Sequence, residues 1–154
     1  MIRVQETPFD AGEELAKLTA GNTAIGATCM FIGTVRDHHG GDALAAMTLE
    51  HYPGMTESAL EEIETEAIAR WPLQASLIVH RYGRMEPGEN IVLVITCSSH
   101  RQAAFESAQF LMDWLKTKAP FWKLEETGDT AEWVDARESD DEAAAKWAAE
   151  PSDT

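Results

Sequence analysis

Cysteine is scarce: Cys29 and Cys97 are the only two in 154 residues, each set in an apolar run that reads as a strand. With no CxxC pair and no disulfide framework, both read as buried free thiols of a reducing compartment. Long hydrophobic runs are missing too. The opening Met1-Ile2-Arg3-Val4-Gln5 has no apolar leader core, and no stretch approaches the roughly 20 residues that cross a bilayer. The expectation is a cytoplasmic protein. Bases are outnumbered, 12 Lys and Arg against 27 Asp and Glu, for a formal net charge of −15. Such a surface repels a polyphosphate backbone and speaks against nucleic-acid binding, but not against a small anion held in a local basic pocket. No HExxH or Cys/His spacing points to a metal, and no GxGxxG or P-loop points to a nucleotide. His38 and His39 are adjacent and point apart on an extended backbone; His51 and His80 stand alone in strand-like runs.

What is present is enough for one domain with a real core. Strands are expected at Ile2–Gln5, Ala24–Val35, Ala45–His51, Ala75–Tyr82, Asn90–Cys97, Phe121–Glu126 and Glu132–Val134. In the second of these, Gly26 and Gly33 mark bulges or close approaches. Asp10 is a plausible cap for a helix over Ala11–Leu18. The longer helices are Thr56–Trp71, capped near Thr56, and Arg101–Lys118, halted by Pro120. Residues 37–42 and 83–89 read as loops, and Glu138–Ala149 as an exposed acidic helix. The order of elements implies an α+β layered domain over residues 1–139, followed by an acidic helix and tail over 140–154. Eleven acids and two bases fall between Glu125 and Thr154.

Against this acidic background, three basic groups stand out. Phe31-Ile32-Gly33-Thr34-Val35-Arg36 delivers an arginine, suited to bidentate bonds with phosphate or carboxylate, to a glycine-rich loop. Ser98-Ser99-His100-Arg101 lies where a strand turns into a helix, near free backbone N–H groups; either serine is also a candidate cap. Lys116 belongs to the last turn of a helix, and Lys123 to the extended segment beyond Pro120. A lysine held near other cations, or partly desolvated, gives up its proton more readily, as a base or amine nucleophile must. Each group also has a plain reading as a solvated cation at the end of an element. A Cys97–His100 nucleophile pair is the thiol alternative, but Cys97 ends an apolar run and has no evident acidic orienter.

Six blocks then follow one another in order: Phe31-x-Gly33-x-Val35-Arg36; Leu49-Glu50-His51-Tyr52-x-Gly54-Met55; His80-Arg81-x-Gly83; Ser99-His100-Arg101-x-Ala103-x-Phe105; Leu115-Lys116-x-x-x-Pro120-x-Trp122-Lys123-x-Glu125; and Trp133-Val134. Together they resemble the large, catalytic subunit of molybdopterin synthase, and the similarity runs from about Phe31 to Ser139. The resemblance implies a hammerhead-like α/β layer with an added antiparallel sheet. It implies a sulfurtransferase of molybdenum cofactor biosynthesis, converting cyclic pyranopterin monophosphate (precursor Z) to molybdopterin. Sulfur would come from the C-terminal Gly-Gly thiocarboxylate of a small ubiquitin-like partner. Two large subunits would form the centre of a heterotetramer, each active site drawing on both.

Carried over by motif position, the substrate site comprises Thr34, Val35, Arg36, His100, Arg101, Lys116, Lys123, Leu124 and Glu125. Phe31, Met112 and Arg137 are implied as lining residues. The resemblance assigns the chemistry to Lys116, meeting the partner's terminal carbonyl, and substrate binding and tuning to Lys123. It implies no metal and no cofactor, and a thiocarboxylate needs no enzyme cysteine. Two other readings stay open at this point: an acidic adaptor that only docks a ubiquitin-like tail, and a thiol-dependent sulfurtransferase built on Cys97.

Overall fold

Residues 91–97 are apolar at nearly every position, so a strand there has to be covered on both faces. The computed structural model, which describes residues 1–39, 41–128, 130–134 and 138–148, shows how this is done. In chain order the elements are β1 (Ile2–Gln5), α1 (Ala11–Thr19), β2 (Ala27–Thr34), β3 (His38–His39), β4 (Asp42–Ala43), β5 (Ala46–His51) and α2 (Met55–Arg70). They continue with β6 (Leu73–Arg81), β7 (Gly83–Met85), β8 (Asn90–Ser98), α3 (Arg101–Lys118), β9 (Phe121–Thr127), β10 (Thr130–Val134) and α4 (Glu138–Ala145).

The first sheet has the order β1-β6-β8-β2. β1 runs parallel to β6, and the other neighbours are antiparallel. Alternation along β8 divides the core. Val92 and Val94 face a cluster with Leu60, Ile63, Phe110 and Leu111 of α2 and α3. Leu93, Ile95 and Cys97 face the other way, onto Leu15 and Leu18 of α1. Each fully buried side chain of this kind contributes about 1.5–3 kcal/mol. The second sheet, β10-β9-β5-β7, is antiparallel throughout, and Met47, Leu49 and Met85 pack with Val35 and Leu44 beneath it. The mixed α+β architecture, with an added antiparallel sheet, is the expected one.

Several local expectations are corrected. The 37–42 stretch holds a small antiparallel ribbon, β3 paired with β4, and residues 83–85 form β7 against β5. Gly54, not Thr56, caps α2: its φ is +86°, and its N–H donates to the Glu57 carboxylate at 2.6 Å. Thr56 is buried and donates its hydroxyl to the Tyr52 carbonyl at 2.8 Å. Neither serine caps α3. Ser98 donates to the Pro72 carbonyl at 2.8 Å and Ser99 to that of Ala24 at 3.4 Å, leaving His100 as the cap residue without a side-chain bond. The chain before β2 presses close there: a Cβ at Gly26 would come within 2.1 Å of the Ser99 carbonyl oxygen. α1 begins as expected, with the Asp10 carboxylate accepting from the Glu13 N–H at 2.9 Å.

α4 is less exposed than its acidic sequence implies. The turn after it places Trp147 edge-on against Trp71 and Phe110, at 5.6 and 5.7 Å between centroids, and its Nε1–H donates to Asp113 at 2.6 Å. Ala149 and the tail beyond it lie outside the described residues. No helix among the described residues is long and apolar enough to cross a membrane.

Candidate functional site

The two sheets and the C-terminal half of α3 enclose a cavity of about 440 Å³. Its cations arrive from three directions. β2 carries a bulge between Gly33 and Thr34, where a Cβ at Gly33 would lie 2.7 Å from Val92 Cγ1. Beyond the bulge the Val35 N–H donates to the Glu89 carbonyl at 2.9 Å, and the Gly88 N–H donates back to Val35 at 2.8 Å. The chain is thereby pinned just before Arg36, which projects into the cavity lining. Arg36 is exposed and makes no hydrogen bond or ion pair among the described residues.

Lys116 comes from the last turn of α3, with Met112 and Leu115 on the same side. Leu115 also accepts the capping N–H of Ala119 at 3.2 Å, and Pro120 lets the chain leave for β9. Along β9, Phe121, Lys123 and Glu125 share the cavity face. Lys123 Nζ lies 3.5 Å from Glu125 Oε1, and Glu125 is buried. Asp140 of α4 also lines the wall. In a chain with net charge −15, three cations thus face one cavity beside two carboxylates.

Of the expected site residues, the structure brings together Phe31, Thr34, Val35, Arg36, Met112, Lys116, Lys123 and Glu125. Thr34 spends its hydroxyl on Asn90 Oδ1 at 3.1 Å. Leu124 follows the strand alternation onto the opposite face of β9 and does not line the cavity. Arg137 lies outside the described residues. His100 and Arg101 stand at the far end of α3 from Lys116. Lys116 lies 15 positions after Arg101, and at 1.5 Å per residue the separation is about 22 Å. Within one chain they do not reach this site.

Sequence reasoning missed His80. It is 4% exposed, on β6, and stacks on Phe121 with ring centroids 3.8 Å apart and planes 18° from parallel. Its Nδ1–H donates to the Arg81 carbonyl at 2.8 Å. Burial, reinforced by the nearby charge of Lys116 and by His51, pushes its pKa down to about 4 although the Arg81 carbonyl opposes the shift. The ring is therefore neutral at neutral pH. The block His80-Arg81-x-Gly83 held the clue, but spacing alone does not say which strand histidine faces a cavity.

Cys97 is fully buried in the α1 side of the core, where the Thr28 hydroxyl donates to its Sγ at 3.6 Å. It faces away from the cavity side and serves packing. No group of three or more metal-ligating side chains occurs among the described residues.

Comparison with known proteins adds a second line of observation. The model of the MoaE protein family matches residues 4–118. The molybdopterin synthase catalytic subunit of Pseudomonas aeruginosa is 55% identical over 146 residues, covering 95% of this chain and 97% of that protein. A solved molybdopterin biosynthesis MoaE protein from Burkholderia ambifaria superposes with a TM-score of 0.83 at 55% identity, covering 97% of this chain and 99% of that one. Molybdopterin synthase from Staphylococcus aureus superposes with a TM-score of 0.80 at 27% identity, covering 86% and 96%.

Proposed function

The chain belongs to the MoaE family of molybdopterin synthase catalytic subunits, and we propose that it converts cyclic pyranopterin monophosphate to molybdopterin with sulfur from the thiocarboxylate of a small ubiquitin-like partner. The observation that carries this reading is the convergence of Arg36, Lys116 and Lys123 on one cavity of a strongly acidic protein. A phosphate monoester requires such cations, and Arg36, with no internal partner among the described residues, is available for bidentate bonds to it.

A thiocarboxylate is itself the sulfur nucleophile. The enzyme then has to bring an anionic tail and an anionic substrate together, and to manage protons as carbon–sulfur bonds form. Lys116, at the rim of the cavity on a rigid helix, is the group for the partner's terminal carbonyl. Lys123, oriented by Glu125, holds substrate and adds positive charge near Lys116. The buried Cys97 is consistent with a reaction that uses no enzyme thiol.

His100 and Arg101, remote from Lys116 in their own chain, fit a role in the cavity of a second copy. The functional unit is then a dimer of this chain flanked by two small partners, a cytoplasmic sulfurtransferase. The test is a reconstituted reaction with thiocarboxylated partner and precursor Z. Wild-type protein yields molybdopterin and Lys116→Ala yields none, at an unchanged melting temperature. Partner binding without any product from the wild type would instead support a docking adaptor.

A further inference from the structure

The cations of the cavity are donors only, and they suit the phosphate. A pyranopterin also carries ring N–H groups and hydroxyls, and these need an acceptor. Thr34 is engaged with Asn90, Glu125 with Lys123 and His38 with Asp37, and Asp140 is an anion. His80 is the neutral, buried acceptor of the wall. Its Nδ1–H is committed to the Arg81 carbonyl, so the single proton of the neutral ring sits on Nδ1 and Nε2 carries a free lone pair. Nε2 has no hydrogen-bond partner among the described residues, is not among their sealed and unsatisfied buried atoms, and belongs to a ring that lines the cavity.

The ring is also held still. Phe121 covers one face at 3.8 Å, and His51, itself 6.0 Å from Phe121, flanks the same aromatic cluster. The His51 Nδ1–H points to Thr56 Oγ1 at 3.1 Å, because the Thr56 hydroxyl is spent on Tyr52. The charged group acting on His80 from α3 is Lys116, which favours the neutral imidazole. A buried acceptor, fixed in tautomer and in plane, is a recognition device: a ligand without a matching donor leaves it unpaired.

We infer that His80 is a specificity-determining residue of the cavity, its Nε2 accepting a hydrogen bond from an N–H or O–H donor on the ring system of the small-molecule substrate. This rests on the reading of the cavity as the pyranopterin site. It assigns the phosphate end to Arg36 and the lysines, and a ring edge to the floor formed by β6 and β9.

Two replacements separate the functions of the imidazole. His80→Asn keeps a donor at the Nδ1 position but removes the acceptor at Nε2; His80→Gln places an amide oxygen near the Nε2 position. His80→Asn should raise the dissociation constant for precursor Z about tenfold, with kcat changed much less and affinity for the partner's tail unchanged. His80→Gln should recover most of the loss. In protein labelled with 15N-histidine, the His80 Nε2 signal should be that of an unprotonated nitrogen and move upfield when precursor Z is added to wild type. An unmoved signal with unchanged affinity in a folded His80→Asn protein overturns the inference, as does a loss confined to partner binding. If His80→Asn does not fold, the 15N signal of the wild type decides. Failure of the cavity reading itself looks different: wild-type protein would then bind no precursor Z at all.

Discussion

Lys123 and Glu125 leave the same face of β9 two positions apart, and Lys123 Nζ lies 3.5 Å from Glu125 Oε1. The carboxylate is buried and the ammonium half open to solvent, so the pair aims the lysine more than it holds the fold together. Glu125→Gln should therefore cost no more than about 1 kcal/mol of stability, since the released ammonium can turn to water. Turnover should drop about tenfold as Lys123 loses its fixed position. Urea unfolding and the reconstituted reaction measure the two effects separately; a loss of stability without a loss of turnover would make the pair structural.

Arg36 is the cation best placed to show the anion site directly. Arg36→Ala removes a charge-assisted, bidentate contact and should raise KM for precursor Z by about ten- to a hundredfold, with little change in melting temperature. The salt dependence of binding should fall with it, because fewer exposed charges remain to be screened. Affinity that is equal in the two proteins at every ionic strength would remove Arg36 from the site.

How much of this was legible beforehand follows from the physics of each element. α3 is found at its expected bounds because Pro120 sets its end and its apolar spacing runs unbroken. That in turn places Lys116 and Lys123 correctly on either side of the proline. β3, β4 and β7 went unread, since strands of two or three residues have no period and owe their existence to distant partners; Met85 of β7, fully buried, stands opposite Met47 of β5. The helix bounds already set His100–Arg101 and Lys116 at opposite ends of α3; what spacing could not reveal was that the Lys116 end is the one facing the cavity. Leu124 illustrates the reverse case: alternation along β9 was enough to turn it away from its neighbours Lys123 and Glu125.

The acidic C-terminal segment read as solvated because charge dominates its composition, yet one tryptophan ties it down. Trp147 meets Trp71 and Phe110 edge-on and bonds Asp113, and Lys146 adds a contact of 3.4 Å to the same carboxylate. Trp147→Ala forfeits the aromatic contacts and leaves Asp113 short of a donor, at a cost of about 2–3 kcal/mol. Chemical denaturation should show the loss. A variant with Lys146→Ala alone should lie within about 1 kcal/mol of wild type, the pair being partly exposed.

Acid should find His80 before most of the fold. An exposed histidine takes up its proton near the ordinary 6.5, whereas burial holds His80 down to about 4 in the folded protein. Between those values the unfolded chain binds the extra proton and the folded chain does not, so stability rises with pH across the window and is lost as the solution is acidified. The stability is full above 6.5, and the loss amounts to about 3 kcal/mol by the time the pH has fallen to the folded-state value. His80→Gln has no ring to titrate, so its unfolding free energy should fall less steeply over the same window. Urea unfolding of both proteins at a series of pH values measures the difference. Parallel curves would mean that His80 is protonated in the folded state as readily as in the unfolded chain, and its Nε2 would then be a donor rather than the acceptor assigned to it.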